Sequence, residues 1–204
     1  LEVFSGALHE ENGLFDVFCS GGDTTSIKGE YLSISITVFG VVPKGKAVRR
    51  GGAKDGDVIV LTGSVGDAAL GLRMLLEGRE DTYEGAIERY RLPEPRVGIE
   101  EILQSYVNAA ADVSDGLIAD CMHVARASGL GMEIDLSALN FSNFVRIAIE
   151  KGDVTLEGAV SGGDDYELIM AVSRHNLSDL IIDLKKNKLK PMVIGEFKDN
   201  GLKM

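Results

Sequence analysis

The clearest pattern in the chain is a strict alternation, with Leu32, Ile34, Ile36 and Val38 apolar and Ser33, Ser35 and Thr37 polar between them. A period of two places one kind of residue on each face of an extended chain. This stretch is therefore expected as an amphipathic strand, ended by Pro43 and Gly45. Upstream, Leu1, Phe4 and Leu8 follow helical spacing, so residues 1–11 read as the end of a helix that starts before this sequence. Residues 16–19 read as a short apolar strand.

The pattern changes after residues 49–57, where Gly51, Gly52 and Gly56 mark a candidate hinge. Residues 58–61 (Val-Ile-Val-Leu) form an uninterrupted apolar run, expected as a buried strand. Further strands are expected over 109–113, 131–136, 166–172 and 192–197. Helices are expected over 68–77, 82–90, 99–107, 117–127, 143–150 and 177–186. The second of these stops at Pro93 and Pro95, because proline cannot continue a helix and restrains the residue before it. Strands and helices interleave, so the chain is expected to be mixed α/β. No repeat of 20–50 residues is visible.

A chain of 204 residues has room for one large domain or two small ones. With 45% hydrophobic and 26% charged residues it has an ordinary globular balance, which excludes disorder as its main description. No apolar run reaches the ~18 residues of a membrane helix. Two cysteines, Cys19 and Cys121, without a CxxC pair exclude a disulfide framework and a four-cysteine zinc site. His9, His123 and His175 are scattered, which argues against a histidine metal cage. His123 lies on a helix of mixed character and reads as structural.

The net charge of −11 argues against nonspecific nucleic-acid binding, which needs a cationic surface. It is compatible with nucleotides if carboxylates hold Mg²⁺ and the metal holds the phosphates.

Three segments share one design, an apolar strand followed by small residues and a carboxylate. They are Ser20-Gly21-Gly22-Asp23-Thr24-Thr25, Ala111-Asp112-Val113-Ser114-Asp115-Gly116 and Ser161-Gly162-Gly163-Asp164-Asp165. Small residues let backbone approach a ligand, and successive N–H groups can cradle an anion. A carboxylate beside such a cradle repels phosphate unless a cation bridges them. Three such loops suggest a magnesium–phosphate site; tight turns with capping aspartates would have the same composition. Asp112 and Asp115 are candidate metal ligands, and Ser114-Asp115 is equally an N-cap pair for the following helix.

Gly63-Ser64-Val65-Gly66 shares the mechanics of a phosphate loop but matches neither glycine-rich nucleotide motif, so a strand-to-helix turn is the preferred reading. Arg49, Arg50, Arg91 and Arg96 offer planar forks for phosphate oxygens, or for surface salt bridges.

In order along the chain, these strings resemble the thiamine-monophosphate kinase family. That family belongs to the superfamily of aminoimidazole ribonucleotide synthetase and selenophosphate synthetase. The strings are GGDTT (21–25), VPKGKAVRRGGAKDGD (42–57), TGSVGDAALGL (62–72), RYRLPEPR (89–96), DVSDGLIAD (112–120), ASGLGMEIDL (127–136) and SGGDDYEL (161–168). The resemblance implies a two-domain architecture with the N-terminal domain truncated in this chain. Residues 1–54 would be the last part of an N-terminal ATP-binding and dimerisation domain, and 55–204 a C-terminal α/β domain.

It also implies an ATP- and Mg²⁺-dependent enzyme that phosphorylates thiamine monophosphate to thiamine diphosphate by direct in-line transfer, without a protein nucleophile. Gly22, Asp23, Arg50 and Ser114 would contact ATP, Asp23, Asp112 and Asp115 would hold Mg²⁺, and Asp164 would contact the thiamine substrate. Many relatives carry Glu at that last position. A cytoplasmic homodimer, without nucleic-acid or membrane partners, is implied as well. The competing readings are another ATP-dependent enzyme of the superfamily and a non-catalytic nucleotide-binding protein.

Overall fold

The computed structural model describes residues 2–199. The chain divides into two compact units, Leu1–Val42 and Pro43–Met204.

In the first unit, helix α1 (Glu2–Leu14) is followed by irregular chain. The strands expected over 16–19 and from Leu32 to Val38 are not formed; Leu32, Ile34, Ile36 and Val38 are between 51% and 80% exposed. Alternation states which face a neighbour would cover. A strand also needs that neighbour for its backbone N–H and C=O groups, and within this unit none is supplied.

The second unit is built on a five-stranded antiparallel sheet in the order β2-β4-β1-β5-β3. The strands are β1 (Val58–Leu61), β2 (Val107–Asp112), β3 (Gly131–Ile134), β4 (Leu168–Val172) and β5 (Met192–Lys198). The helices are α2 (Asp67–Leu76), α3 (Glu84–Arg91), α4 (Glu100–Tyr106), α5 (Leu117–Ser128), α6 (Asn143–Lys151), α7 (Leu156–Ser161) and α8 (Leu177–Lys186). The mixed α/β reading holds.

Strand β1 is central and covered on both faces, which is why its four residues are all apolar. Ile59 and Leu61 join Ile169, Ala171 and Phe197 beneath Leu117, Cys121 and Val124 of α5. Val58 and Val60 point the other way, with Met170 and Val172, against Leu180 and Leu184 of α8. A third cluster gathers Leu70 and Met74 of α2, Ile87 of α3, Val145 of α6 and Ala159 of α7. Truncating Leu61, which is fully buried, to alanine would cost ~2–5 kcal/mol.

Two boundaries differ from expectation for a backbone reason. Tyr83 has φ 57°, so α3 begins at Glu84 rather than at residue 82. Asp164 and Tyr166 have φ of 66° and 51°, left-handed values that an extended chain cannot hold, so β4 begins at Leu168. Helix α7 was not expected; Thr155 caps it by accepting from Gly158 N at 3.0 Å.

The register sets the position of the loops. Asp112 lies opposite Leu168, and Leu61 opposite Ile169. The segments after β1, after β2 and before β4 therefore leave the sheet at the same end.

Candidate functional site

Backbone hydrogen bonds continue past the β2–β4 ladder and join two of these segments. Val113 N donates to Glu167 O at 2.8 Å, Tyr166 N to Val113 O at 2.9 Å, and Asp164 N to Ser114 O at 3.0 Å. Two glycines permit the approach. A Cβ on Gly163 would collide with the Ser114 carbonyl, and one on Gly116 would lie 2.5 Å from the Ser161 carbonyl oxygen. Gly116 also has φ 112°, where side-chain-bearing residues are strained.

Asp112, Ser114, Asp115 and Asp164 are thereby gathered at one end of the sheet. Asp115 is exposed and the other three are half-buried. Tyr166 adds a phenol that donates to Asp164 Oδ1 at 3.2 Å. Burial first, then the charges of Asp164, Asp112 and Asp115, push its ionisation above the ordinary tyrosine value. An aromatic ring thus stands among three carboxylates.

Buried acids hold this end from below. Asp120, in the first turn of α5, accepts from Ser114 N at 3.0 Å and Asp115 N at 2.9 Å through Oδ2. Asp165 accepts from Gly66 N at 2.8 Å and Ala68 N at 3.2 Å, at the start of α2. The N–H groups that a phosphate loop would offer are taken by this carboxylate, so the reading of residues 63–66 as a strand-to-helix turn is the one that stands. Burial pushes the Asp165 carboxyl up to about 7, against the pull of its two N–H bonds.

Glu167 is buried and fully engaged. Thr62 Oγ1 donates to it at 2.5 Å, Arg89 Nη2 at 2.9 Å and Arg96 Nε at 2.8 Å, and Arg96 Nη2 adds a further short bond. Arg96 is therefore an internal clamp rather than a phosphate fork. Arg91 makes an exposed ion pair with Glu80 at 3.0 Å.

The remaining predicted residues lie elsewhere. Arg50 is exposed on a segment that runs along β2, where Arg49 O accepts from Ala110 N at 3.0 Å and Ser128 Oγ accepts from Gly52 N at 3.1 Å. Gly22 and Asp23 belong to the first unit and are exposed; Asp23 Oδ1 accepts from Thr24 N at 2.9 Å.

Sequence reasoning missed Asp120, Asp165, Glu167 and Arg89 as supports. Asp165 and Glu167 are buried whereas their neighbours Asp164 and Tyr166 are more exposed, a difference set by the left-handed turns at 164 and 166 that the string SGGDDYEL does not announce. The oxygen donors of Asp112 and Asp115 fit a hard divalent cation such as Mg²⁺.

A family model for AIR synthase related protein, C-terminal domain, matches residues 54–203. The chain belongs to this family. Its AIR synthase-related domain therefore coincides with nearly all of the second unit and contains both joined loops. The relatives are narrower in kind. The chain is 38% identical over 199 residues to thiamine-monophosphate kinase of Caulobacter vibrioides, covering 96% of this chain and 56% of that protein.

The crystal structure of thiamine-monophosphate kinase from Stenotrophomonas maltophilia K279a has a TM-score of 0.72 and 34% identity, over 78% of this chain and 52% of that one. AaThiL, solved in complex with AMPPCP and TMP, has a TM-score of 0.65 and 32% identity, over 75% of this chain and 48% of that one. The chain spans a little over half the length of the curated relatives it matches. These names agree with the resemblance read from the motifs. Among the described residues, no helix is long and apolar enough to cross a membrane.

Proposed function

We propose that this chain carries the C-terminal part of a kinase that uses ATP and Mg²⁺ to phosphorylate thiamine monophosphate. The observation that carries the reading is the gathering of Asp112, Ser114, Asp115 and Asp164 at one end of the sheet by the Asp164 N to Ser114 O and Tyr166 N to Val113 O bonds. The names of the relatives, and the AMPPCP and TMP bound by AaThiL, support the substrate pair.

In this reading a phosphate oxygen of thiamine monophosphate forms a bond to the γ-phosphorus of ATP as the bond to the β–γ bridging oxygen breaks. The products are thiamine diphosphate and ADP. Such a transfer needs positioning and charge neutralisation rather than a protein nucleophile. Asp112 and Asp115 would hold Mg²⁺, which supplies neutralisation of phosphate charge. Ser114 offers its hydroxyl to ATP, with Arg50 as a further contact in the second unit; Gly22 and Asp23 are, by the family resemblance, the first unit's own candidates for contact with ATP and Mg²⁺. Asp164 sets a carboxylate against the cationic thiazolium or the aminopyrimidine of the substrate, and Tyr166 orients that carboxylate.

The boundary expected at residues 54–55 is proposed from the start of the family domain at residue 54, which lies inside the compact unit that begins at Pro43. The alternating, exposed segment from Tyr31 to Val42 would pair with a second copy in a cytoplasmic homodimer. Sizing the full-length protein by light scattering tests the dimer.

The test of the activity is to incubate the full-length protein with ATP, Mg²⁺ and thiamine monophosphate and to separate the products by chromatography. Thiamine diphosphate is expected. A folded protein that binds ATP yet makes none would move the reading to another substrate of the superfamily.

A further inference from the structure

His123 has no role in the reading above. It follows Asp120 by three positions on α5, a spacing that places both side chains on the same face of the helix. Asp120 is 1% exposed. Its Oδ2 is taken by the N–H groups of Ser114 and Asp115, but its Oδ1 is buried with no hydrogen-bond partner among the described residues. Burying an acceptor without a donor is costly, and more so when it is charged, so this oxygen calls for a positive partner.

His123 Nδ1 lies 3.4 Å from this oxygen. That is long for an N–H···O bond, whose usual range is about 2.7–3.2 Å. It is close to the separation of two ligands that each lie about 2.0–2.2 Å from a shared ion. Asp115 completes the set: one ligand atom from each of Asp115, Asp120 and His123 lies within 4.8 Å of the others. Asp115 is exposed and His123 half-buried, which leaves the cluster open to solvent for entry and for water ligands.

We infer that Asp115, Asp120 and His123 form a site for one first-row divalent transition ion, with the imidazole nitrogen favouring that ion over Mg²⁺. The donor set supports this choice. Two carboxylates alone would suit Mg²⁺, which prefers all-oxygen surroundings and keeps its waters. An imidazole nitrogen shifts preference toward manganese, cobalt and zinc, which follow it in rising affinity. Two carboxylate charges match a divalent ion, and the orphan oxygen of Asp120 gains the partner it lacks. Bound there, the ion would also tie the Ser114–Asp115 turn to α5 by a second link beside the two backbone bonds. The site shares Asp115 with the magnesium role proposed above and rests on that reading at no other point.

The experiment uses the nucleotide-free full-length protein and Co²⁺ as the probe, followed by its visible absorption and by titration calorimetry. One Co²⁺ per chain is expected. His123→Ala should weaken it by at least ~10-fold, the lower end of what altered metal surroundings cost. His175→Ala should leave it unchanged, and a ~10-fold excess of Mg²⁺ should not displace it. Position 123 is half-exposed, so its alanine variant is expected to fold, and circular dichroism checks that. No Co²⁺ bound, the same affinity in His123→Ala, or ready displacement by Mg²⁺ would each overturn the site. Because neither ATP nor thiamine monophosphate is present, failure here is separable from failure of the kinase reading.

Discussion

Asp165 and Gly66, 99 positions apart in the chain, are joined by a backbone N–H to carboxylate bond of 2.8 Å. The same carboxylate accepts from Ala68 N at 3.2 Å. Asp165 thus caps α2 from the segment before the neighbouring strand β4 and anchors the segment that carries Asp164. Its neighbours Asp164 and Tyr166 are both left-handed, conformations costing on the order of 1–3 kcal/mol each that persist only when their surroundings hold them.

This predicts a pH-dependent stability. Burial moves the Asp165 carboxyl from the ordinary 3.8 to about 7, so between these values the folded protein binds a proton that the unfolded chain does not. The stability that Asp165 contributes is full below the lower value and is lost as pH rises through the upper one. Asp67, also raised by burial, acts in the same direction. Asp165→Asn should cost ~1–2 kcal/mol, the scale of losing a helix cap. Urea unfolding at pH 5 and pH 8 should show wild type's advantage over this variant larger at pH 5. An advantage that grows with pH would contradict the assignment.

The Glu167 cluster predicts a larger effect. Glu167→Ala would leave the Arg89 and Arg96 guanidinium groups, whose side chains are 19% and 11% exposed, without their main partner. Breaking a buried pair on one side costs about 3–5 kcal/mol. Thermal unfolding should show a fall in Tm of many degrees. A shift of a degree or two would mean that Glu94, which also contacts both arginines, suffices to hold them.

The two cysteines should behave differently. Cys19 is exposed, whereas Cys121 is packed under the sheet, where burial pushes its thiol up to about 12. Titration with an aromatic disulfide reagent should find one reactive thiol in the native protein and two after denaturation. Two in the native state would show that α5 opens readily.

Much of the second unit was legible. Residues 58–61 and 177–186 were bounded correctly because an all-apolar run and a regular helical stripe each admit one reading. The alternation from Leu32 to Val38 was equally regular and misled, since it describes a face and supplies no partner for it. Helix α7 escaped because it is six residues long and contains Gly158. That Asp112, Ser114, Asp115 and Asp164 belong to loops of one design was legible from carboxylates beside small residues after apolar strands, and the fold brings these two loops together. Asp165 and Glu167 were not legible, because Gly66, Arg89 and Arg96 lie 99, 78 and 71 positions away from them. Only folding reveals that, of the adjacent acids Asp164 and Asp165, one stays partly open to solvent and the other is buried as a support.

The most direct test of the central claim compares the full-length wild type with Asp112→Asn in thiamine diphosphate formation from ATP and thiamine monophosphate. Asn keeps the shape of the side chain and removes its charge. A loss in kcat of at least ~10²-fold, the scale of removing a positioned electrostatic group, is predicted with the fold intact. Equal rates in the two proteins would remove Asp112 from the site and contradict the placing of phosphate chemistry at this end of the sheet.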